Sequence, residues 1–102
     1  MAKRYEITAF GETDEVYLVK KTYPNGRLAV LLDSDEGPYA VLTVNIPGAY
    51  CPEGCAYLDT NNFPQGEDFV VKNGLAEDME EIAFSGYCMY PLYRFDIKKL
   101  EE

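Results

Sequence analysis

Histidine is absent from the 102 residues of this chain, so the side chain that most often acts as a general base near neutral pH is missing. Neither Ser34 nor Ser85 lies in the glycine-flanked pattern that exposes a nucleophilic serine. No glycine-rich phosphate loop is present, and residues 33–38 are too short for a calcium-binding loop. The sequence therefore disfavours catalysis, and we expect a protein that is not an enzyme and holds no cofactor.

Cysteine is scarce. The three cysteines, Cys51, Cys55 and Cys88, form an odd number in a chain without a secretion signal, which argues against a disulfide framework. Three residues separate Cys51 from Cys55, and a four-thiolate zinc site would need a further cysteine. We therefore expect reduced thiols and no metal.

Long apolar segments are missing as well. The chain begins Met1-Ala2-Lys3-Arg4 and continues directly into alternating sequence, without the apolar stretch of a signal peptide. No window approaches the ~18 apolar residues of a membrane-spanning helix. We expect a soluble, cytoplasmic protein that does not contact a membrane.

Basic residues are nearly missing from the middle of the chain. Residues 28–93 carry eleven carboxylates and one basic residue, Lys72, and the whole chain has a formal net charge of -9. A charge of this size repels nucleic acids and anionic membranes and attracts basic protein surfaces. Most of these carboxylates form three clusters, at residues 33–36, 67–68 and 77–81.

The acidic clusters can be interpreted in two ways. They can form a solvated surface that keeps the protein soluble, or they can take the place of phosphates in a basic groove built for nucleic acid. A nucleic-acid strand presents one charge per roughly 3.4 Å, a spacing that rows of carboxylates can approximate. The candidate partner-binding residues are Asp33, Asp35, Glu36, Glu67, Asp68, Glu77, Asp78, Glu80 and Glu81.

What is present favours a folded domain rich in β-strands. Hydrophobic residues make up 47% of the chain, so a single domain spanning residues 1–102 can bury a core. Alternating and β-branched runs predict strands at residues 5–9, 16–23, 28–32 and 39–46. Turns are predicted between them at residues 11–14, at the hairpin signal Asn25-Gly26, and at residues 33–38.

The next part of the chain predicts less regular structure. Pro47 ends the sheet pattern because proline cannot donate to a ladder, and residues 48–64 form a long polar and aromatic connection. A short helix follows at residues 65–73, since two acids open the segment and Asn73-Gly74 resembles a C-cap.

The last part of the chain completes the predicted fold. Residues 76–81 can add a second acidic turn, and a half-buried alternating strand follows Pro91, which indicates an edge or a bulge. The tail at residues 98–102 is expected to fray. The predicted class is α+β: a mostly antiparallel, twisted sheet of about five strands with one or two short helices.

Aromatic residues are plentiful, with nine tyrosines and five phenylalanines, and five of these lie within residues 84–95. Tyrosine is enriched at binding interfaces, and small β-rich domains also use it in the core and at the rim of the core. Basic residues do not interleave with these aromatics before Arg94, as a single-strand-binding surface would require. We therefore expect no direct binding to nucleic acid.

Several segments resemble those of a known family. They read RLAVLL at residues 27–32, YAVLTVNIP at residues 39–47, LDTNN at residues 58–62 and SGYCMYPLY at residues 85–93. Over nearly its whole length the chain is similar to small uncharacterised proteins carried on plasmids, conjugative elements and phages of Gram-positive bacteria. The resemblance implies an inhibitor of a type II CRISPR system that blocks the RNA-guided nuclease by disturbing its assembly with guide RNA. It transfers no functional residue.

Three functions stay open at this point. The one we expect is a non-enzymatic anti-CRISPR inhibitor whose acidic residues meet a basic host protein, a CRISPR effector nuclease with a positively charged nucleic-acid channel. The second is a mobile-element accessory domain that binds a host protein through a tyrosine-rich face, with the acids serving solubility. The third is an acid-catalysed hydrolase that uses paired carboxylates.

Overall fold

The computed structural model describes residues 3–101. In this part of the chain the elements follow the order β1 (Arg4–Ala9), β2 (Glu12–Thr22), β3 (Leu28–Ser34), β4 (Gly37–Val41), β5 (Thr43–Val44), β6 (Cys55–Leu58), α1 (Gln65–Lys72), β7 (Ala76–Ser85), β8 (Cys88–Phe95) and α2 (Ile97–Leu100). Every strand pair is antiparallel. The expectation of a mostly antiparallel α+β fold is confirmed, and of the one or two short helices expected there are two in the described residues.

The strands form two sheets rather than one. The first sheet has the order β1-β2-β3-β4, and the second has the order β5-β6-β8-β7. The prediction of a single sheet of about five strands is therefore wrong in its sheet count. The error arises at residues 39–46, where one continuous strand was predicted and the chain instead divides into β4 and β5.

The chain crosses between the sheets at Leu42 and Thr43. The Leu42 amide donates to the carbonyl of Val30 at 3.0 Å, and the Val30 amide donates to Thr43 Oγ1 at 3.1 Å. Thr43 itself already belongs to the second sheet, where it pairs with Leu58. Its hydroxyl shares a further hydrogen bond of 2.9 Å with the Tyr23 hydroxyl. Val30 of β3 is thus hydrogen-bonded both to Leu42, the last residue before the second sheet, and to Thr43, the first residue within it.

The first hairpins follow the sequence pattern closely. In β1 the alternating residues Tyr5, Ile7 and Ala9 are buried, as predicted for a half-buried strand. The second turn is closed by a hydrogen bond of 2.8 Å from the Tyr23 amide to the Arg27 carbonyl, which confirms the predicted hairpin. The first turn is tighter than predicted, because β2 begins at Glu12 rather than after residue 14.

Helix α1 spans Gln65–Lys72, one residue shorter than predicted, and covers the gap between the two sheets. Phe69 and Val70 are buried, and the Phe69 ring meets the Tyr5 ring edge-on with 6.0 Å between centroids. The helix contacts both β1 and β7, which are the outer strands of their sheets. Its C-terminus uses the predicted Asn73-Gly74 cap, where Gly74 takes a φ of +64° that glycine adopts without strain.

The segment predicted as a long connection, residues 48–64, contains a strand. All four residues of β6, Cys55–Leu58, are buried. Ala56 and Leu58 enter the main core between the sheets, while Cys55 and Tyr57 enter a second apolar cluster on the other face of the second sheet. A short strand buried on both faces shows no alternation of polar and apolar residues, so the sequence pattern conceals it.

Two further predictions near the C-terminus are wrong. Residues 76–81 form the first part of strand β7 rather than an acidic helical turn, because pairing with β8 overrides the low strand propensity of the acids. The tail is helical rather than frayed through Leu100, whose side chain lies in the main core. Pro91 lies inside β8, opposite Ile82, rather than at the start of a strand. The nearby irregularity in the pairing is a bulge of the neighbouring strand β7, between Asp78 and Ile82.

Replacing Thr43 by valine tests the crossing between the sheets. Thr43→Val keeps the side-chain shape but leaves the buried Val30 amide without its acceptor, so the free energy of unfolding should fall by about 1–3 kcal/mol. Urea denaturation measures the change. Thr22→Val, at an exposed position in β2, is the matched control and should change stability by less than about 0.5 kcal/mol. Equal effects of the two substitutions would contradict this role for the Thr43 hydroxyl.

Candidate functional site

The first acidic cluster, at residues 33–36, lies at the tip of the β3–β4 hairpin in the first sheet. Asp33 is partly buried and pairs across the sheet with Tyr17 and Pro38. Asp35 is exposed and forms an ion pair of 2.7 Å with Arg4, whose guanidinium also lies over the Tyr17 ring at 4.8 Å. Part of the charge of this cluster is therefore compensated by the protein itself.

The second cluster, at residues 67–68, occupies the first turn of α1. Acids are favourable there because the amides at a helix N-terminus carry partial positive charge. Glu67 accepts a hydrogen bond of 2.9 Å from the hydroxyl of Tyr93 on β8, while Asp68 is exposed. The second cluster is thus attached to the second sheet through one tyrosine.

The third cluster, at residues 77–81, follows β7 along the outer edge of the second sheet. β7 places three residues, Met79, Glu80 and Glu81, opposite the single residue Leu92 of β8, and this forms a bulge. Within it Glu80 adopts a left-handed φ of 58°, and its amide donates to Asp78 Oδ1 at 2.8 Å. The four carboxylate residues Glu77, Asp78, Glu80 and Glu81 are all exposed.

Tyr93 brings the second and third clusters together. Its hydroxyl is bonded to Glu67, and its backbone pairs with Asp78 of β7. Burial raises the pKa of Tyr93 well above its ordinary value, and the hydrogen bond to Glu67 and the charges of Glu67 and Asp78 raise it further. We call the combined surface the acidic edge, defined by Glu67, Asp68, Glu77, Asp78, Glu80 and Glu81.

The acidic edge unites six of the nine predicted site residues. The other three, Asp33, Asp35 and Glu36, lie at the β3–β4 hairpin of the other sheet, where Asp35 pairs with Arg4. Basic residues at the acidic edge are few: Lys72 ends α1, and Arg94 lies opposite Glu77 on β8. The helix and the strand thus both present carboxylates near Tyr93.

A cavity of about 500 Å³ lies elsewhere, between the β2–β3 hairpin and residues 51–54. It is lined by Lys20, Arg27, Cys51 and Glu53 among others. The Arg27 guanidinium is already engaged, since it donates to the carbonyls of Ile46, Pro47 and Ala49 at 2.7, 3.1 and 2.6 Å. Burial raises the pKa of the Cys51 thiol, so this thiol is not activated as a nucleophile.

The aromatic residues within 84–95 fall into a buried group and an exposed group. Tyr90, Tyr93 and Phe95 are buried, whereas Phe84 and Tyr87 are exposed at the β7–β8 hairpin. Ile82 and Met89 are also exposed on this hairpin. Sequence reasoning missed this apolar tip, and the signal that could have revealed it is the alternation of residues 82–85 once they are read as a strand.

Within residues 3–101, no group of three or more cysteine and carboxylate side chains could hold a metal ion. No helix in this range is long and apolar enough to cross a membrane.

Comparison with known proteins identifies one family. The profile of DUF4313, a domain of unknown function, matches residues 18–102. The match begins within β2 and includes every residue of the acidic edge. No curated protein and no solved structure matches the chain.

Glycine substitutions test the bulge that shapes the acidic edge. Glu80→Gly should raise the free energy of unfolding by about 1 kcal/mol, because glycine adopts the left-handed conformation of residue 80 without a Cβ clash. Glu81→Gly removes the same charge outside that conformation and should lower stability by a similar amount. Chemical denaturation compares the two variants, and stabilisation by both would indicate relief of charge repulsion instead.

Alkaline unfolding tests the environment of Tyr93. The raised pKa means that the folded state favours the neutral phenol of Tyr93. The contribution of this phenol to the free energy of unfolding is therefore complete below about pH 10 and is lost as the pH rises further. Tyr93→Phe should therefore lose less stability than the wild type between about pH 9 and pH 11. Glu67→Gln keeps an acceptor but removes the charge, and should give an intermediate slope. A Tyr93→Phe slope equal to that of the wild type would exclude a shifted phenol at this position.

Proposed function

This chain belongs to the DUF4313 family, which is defined by a domain of unknown function, and we propose that it is a non-enzymatic protein-binding domain. In this proposal the acidic edge occupies a basic surface of another protein that otherwise holds nucleic acid. The partner we propose is a type II RNA-guided nuclease, which would make the protein an anti-CRISPR inhibitor acting in the cytoplasm. The identity of the partner is supported by the sequence resemblance described above.

The observation that carries the proposal is the meeting of two distant acidic clusters at Tyr93. Residues 67–68 and 77–81 could have lain on opposite sides of the molecule, and they instead adjoin one another through Glu67 and Asp78. Side chains along a strand alternate between its two faces, so β7 carries carboxylates toward both, with Asp78 on the side of Tyr93 and Glu77 on the side of Arg94. A basic groove that closes around this edge would meet negative charge from both sides.

Parts of the acidic edge are held in place before any partner arrives. Glu67 is fixed by the Tyr93 hydroxyl, and Asp78 is fixed by the amide of Glu80 within the bulge. A surface that is ordered in the free protein loses less conformational entropy on binding than a set of mobile side chains does. This order supports a binding role over a purely solvating one for these two carboxylates.

The nuclease suits such a ligand because it holds guide and target strands in a positively charged channel. Before guide RNA is loaded, that channel is open to an acidic protein. An inhibitor that binds there would compete with guide RNA and would act most strongly on the empty nuclease. The order in which inhibitor and guide are added is therefore informative.

The second candidate function is a mobile-element accessory domain that binds a host protein through aromatic residues. It is favoured by the exposed side chains of Phe84, Tyr87 and Met89 at the β7–β8 hairpin. Because Tyr90 and Tyr93 are buried, this surface would be the hairpin tip rather than the whole tyrosine-rich run. Binding through it should depend little on ionic strength.

Matched charge neutralisation tests the acidic edge. The triple variant Asp78→Asn, Glu80→Gln, Glu81→Gln should weaken binding to the guide-free nuclease by about tenfold, since three exposed ion pairs contribute about 0.5 kcal/mol each. The control variant Glu12→Gln, Asp14→Asn, Glu15→Gln removes the same three charges from exposed positions on β2 and should change affinity by less than about threefold. Titration calorimetry at low and high salt measures both.

Several outcomes would contradict the proposal. Equal weakening by the two triple variants would show that net charge, rather than the acidic edge, drives binding. Undiminished DNA cleavage, whether the protein is added before or after the guide, would exclude inhibition of this nuclease. Guide RNA should be recovered intact on a gel, and cleaved RNA would instead indicate the hydrolase.

A further inference from the structure

Strand β7 is protected along one half and bare along the other. Among the described residues, β7 is the outer strand of its sheet, and outer strands expose backbone groups that can pair with another chain. Its first half carries acids and a bulge, which are the usual features that prevent such pairing. Its second half, residues 82–85, has no charged side chain, and Ile82 and Phe84 are 55% and 68% exposed. An apolar outer strand without protection is a site prepared for pairing.

A groove of about 400 Å³ runs beside this bare half. Its walls come from residues 46–50 on one side and from residues 81–84 on the other, with Tyr57 also contributing. The Tyr50 side chain at its rim is 70% exposed. The groove is lined mainly by apolar and aromatic side chains, with the carboxylate of Glu81 at its edge.

The outer wall of the groove is held firmly. The Arg27 guanidinium donates to the carbonyls of Ile46, Pro47 and Ala49, and the buried Tyr57 hydroxyl donates to the carbonyl of Tyr50. These bonds tie residues 46–50 to the first sheet and to β6. The groove is therefore formed before a ligand binds, which lowers the entropic cost of binding.

We propose that the bare half of β7 binds an extended segment of a partner protein by strand addition. The segment alternates apolar and basic residues: its apolar side chains pack against Ile82 and Phe84, which share one face of β7, and its basic side chains lie on the groove side, where Glu81 stands at the edge. Backbone hydrogen bonds to β7 supply affinity, and the side-chain alternation supplies selectivity. Charge complementarity identifies the occupant, because a second copy of this chain would bring another net charge of -9 to the same edge.

The proposal deepens the proposed function and rests on it for the identity of the partner, but strand addition can be measured without the nuclease. The probe is a peptide of about eight residues that alternates lysine and valine. The comparison peptide has the same composition with the lysines and valines in separate blocks. Backbone amide resonances of the isotope-labelled protein report where each peptide binds.

The alternating peptide should shift the amide resonances of residues 82–85 most strongly and should bind at least about fivefold more tightly than the block peptide. Ile82→Thr should weaken this binding by about fivefold. Val41→Thr, at an exposed β-branched position in β4, is the matched control and should bind as the wild type does. If Ile82→Thr fails to fold, Phe84→Ser replaces it, since that side chain is also exposed.

Strand addition would be overturned by equal binding of the two peptides, by shifts centred away from residues 82–85, or by unchanged affinity of the Ile82→Thr variant. A wild-type dimer in sedimentation with residues 82–85 at its interface would assign the edge to a second copy and would also overturn it. Peptide binding at β7 without nuclease inhibition would refute the proposed function alone. Nuclease inhibition without peptide binding at β7 would refute strand addition alone.

Discussion

The side chain of Thr43 joins the two sheets, and the rest of the fold depends on that junction. Val30 in β3 accepts from Leu42 and donates to Thr43, so a single residue guides the chain out of the first sheet and into the second. The fully buried Leu42 also packs closely against α1. A Cβ on Gly66 of this helix would lie only 3.1 Å from Leu42 Cδ2. The same junction therefore limits how closely the helix packs against the core.

The two sheets are joined at β4 and β5, and α1 covers the gap between their other outer strands, where six of the carboxylates lie. Joining β4 to β5 leaves β1 and β7 as outer strands, and α1 contacts both of them. Acids are favourable in the first turn of α1 because of the helix dipole, and on β7 because charge discourages unwanted strand pairing. Stability and solubility thus already place carboxylates where a basic partner would meet them. What solubility does not explain is the bare half of the same strand, at Ile82 and Phe84.

Local pattern predicted the elements whose own residues carry a clear signal. The first hairpins and helix α1 follow from alternation, the Asn25-Gly26 turn and the Asn73-Gly74 cap, which are local signals. The misses share a different cause. Strand β6 is buried on both faces and shows no alternation, β7 becomes a strand only by pairing with β8, and the break at Leu42 exists only because Val30 binds it. For the candidate site, charge alone selected nine residues, but only the contacts of Tyr93 with Glu67 and Asp78 show which clusters lie together.

Charge and strand pairing would act at different distances in one binding event. Exposed carboxylates attract a basic surface over roughly a Debye length, about 8 Å at physiological ionic strength, and mainly raise the association rate. Such attraction discriminates poorly, because any basic protein satisfies it. Strand pairing and the groove beside Tyr50 act only in contact, and contacts of this kind mainly set the dissociation rate and the choice of partner. The bulge at Glu80 separates the acidic half of β7 from its apolar half, so one strand can supply both charge attraction and strand pairing. A partner is bound selectively only if it matches both halves.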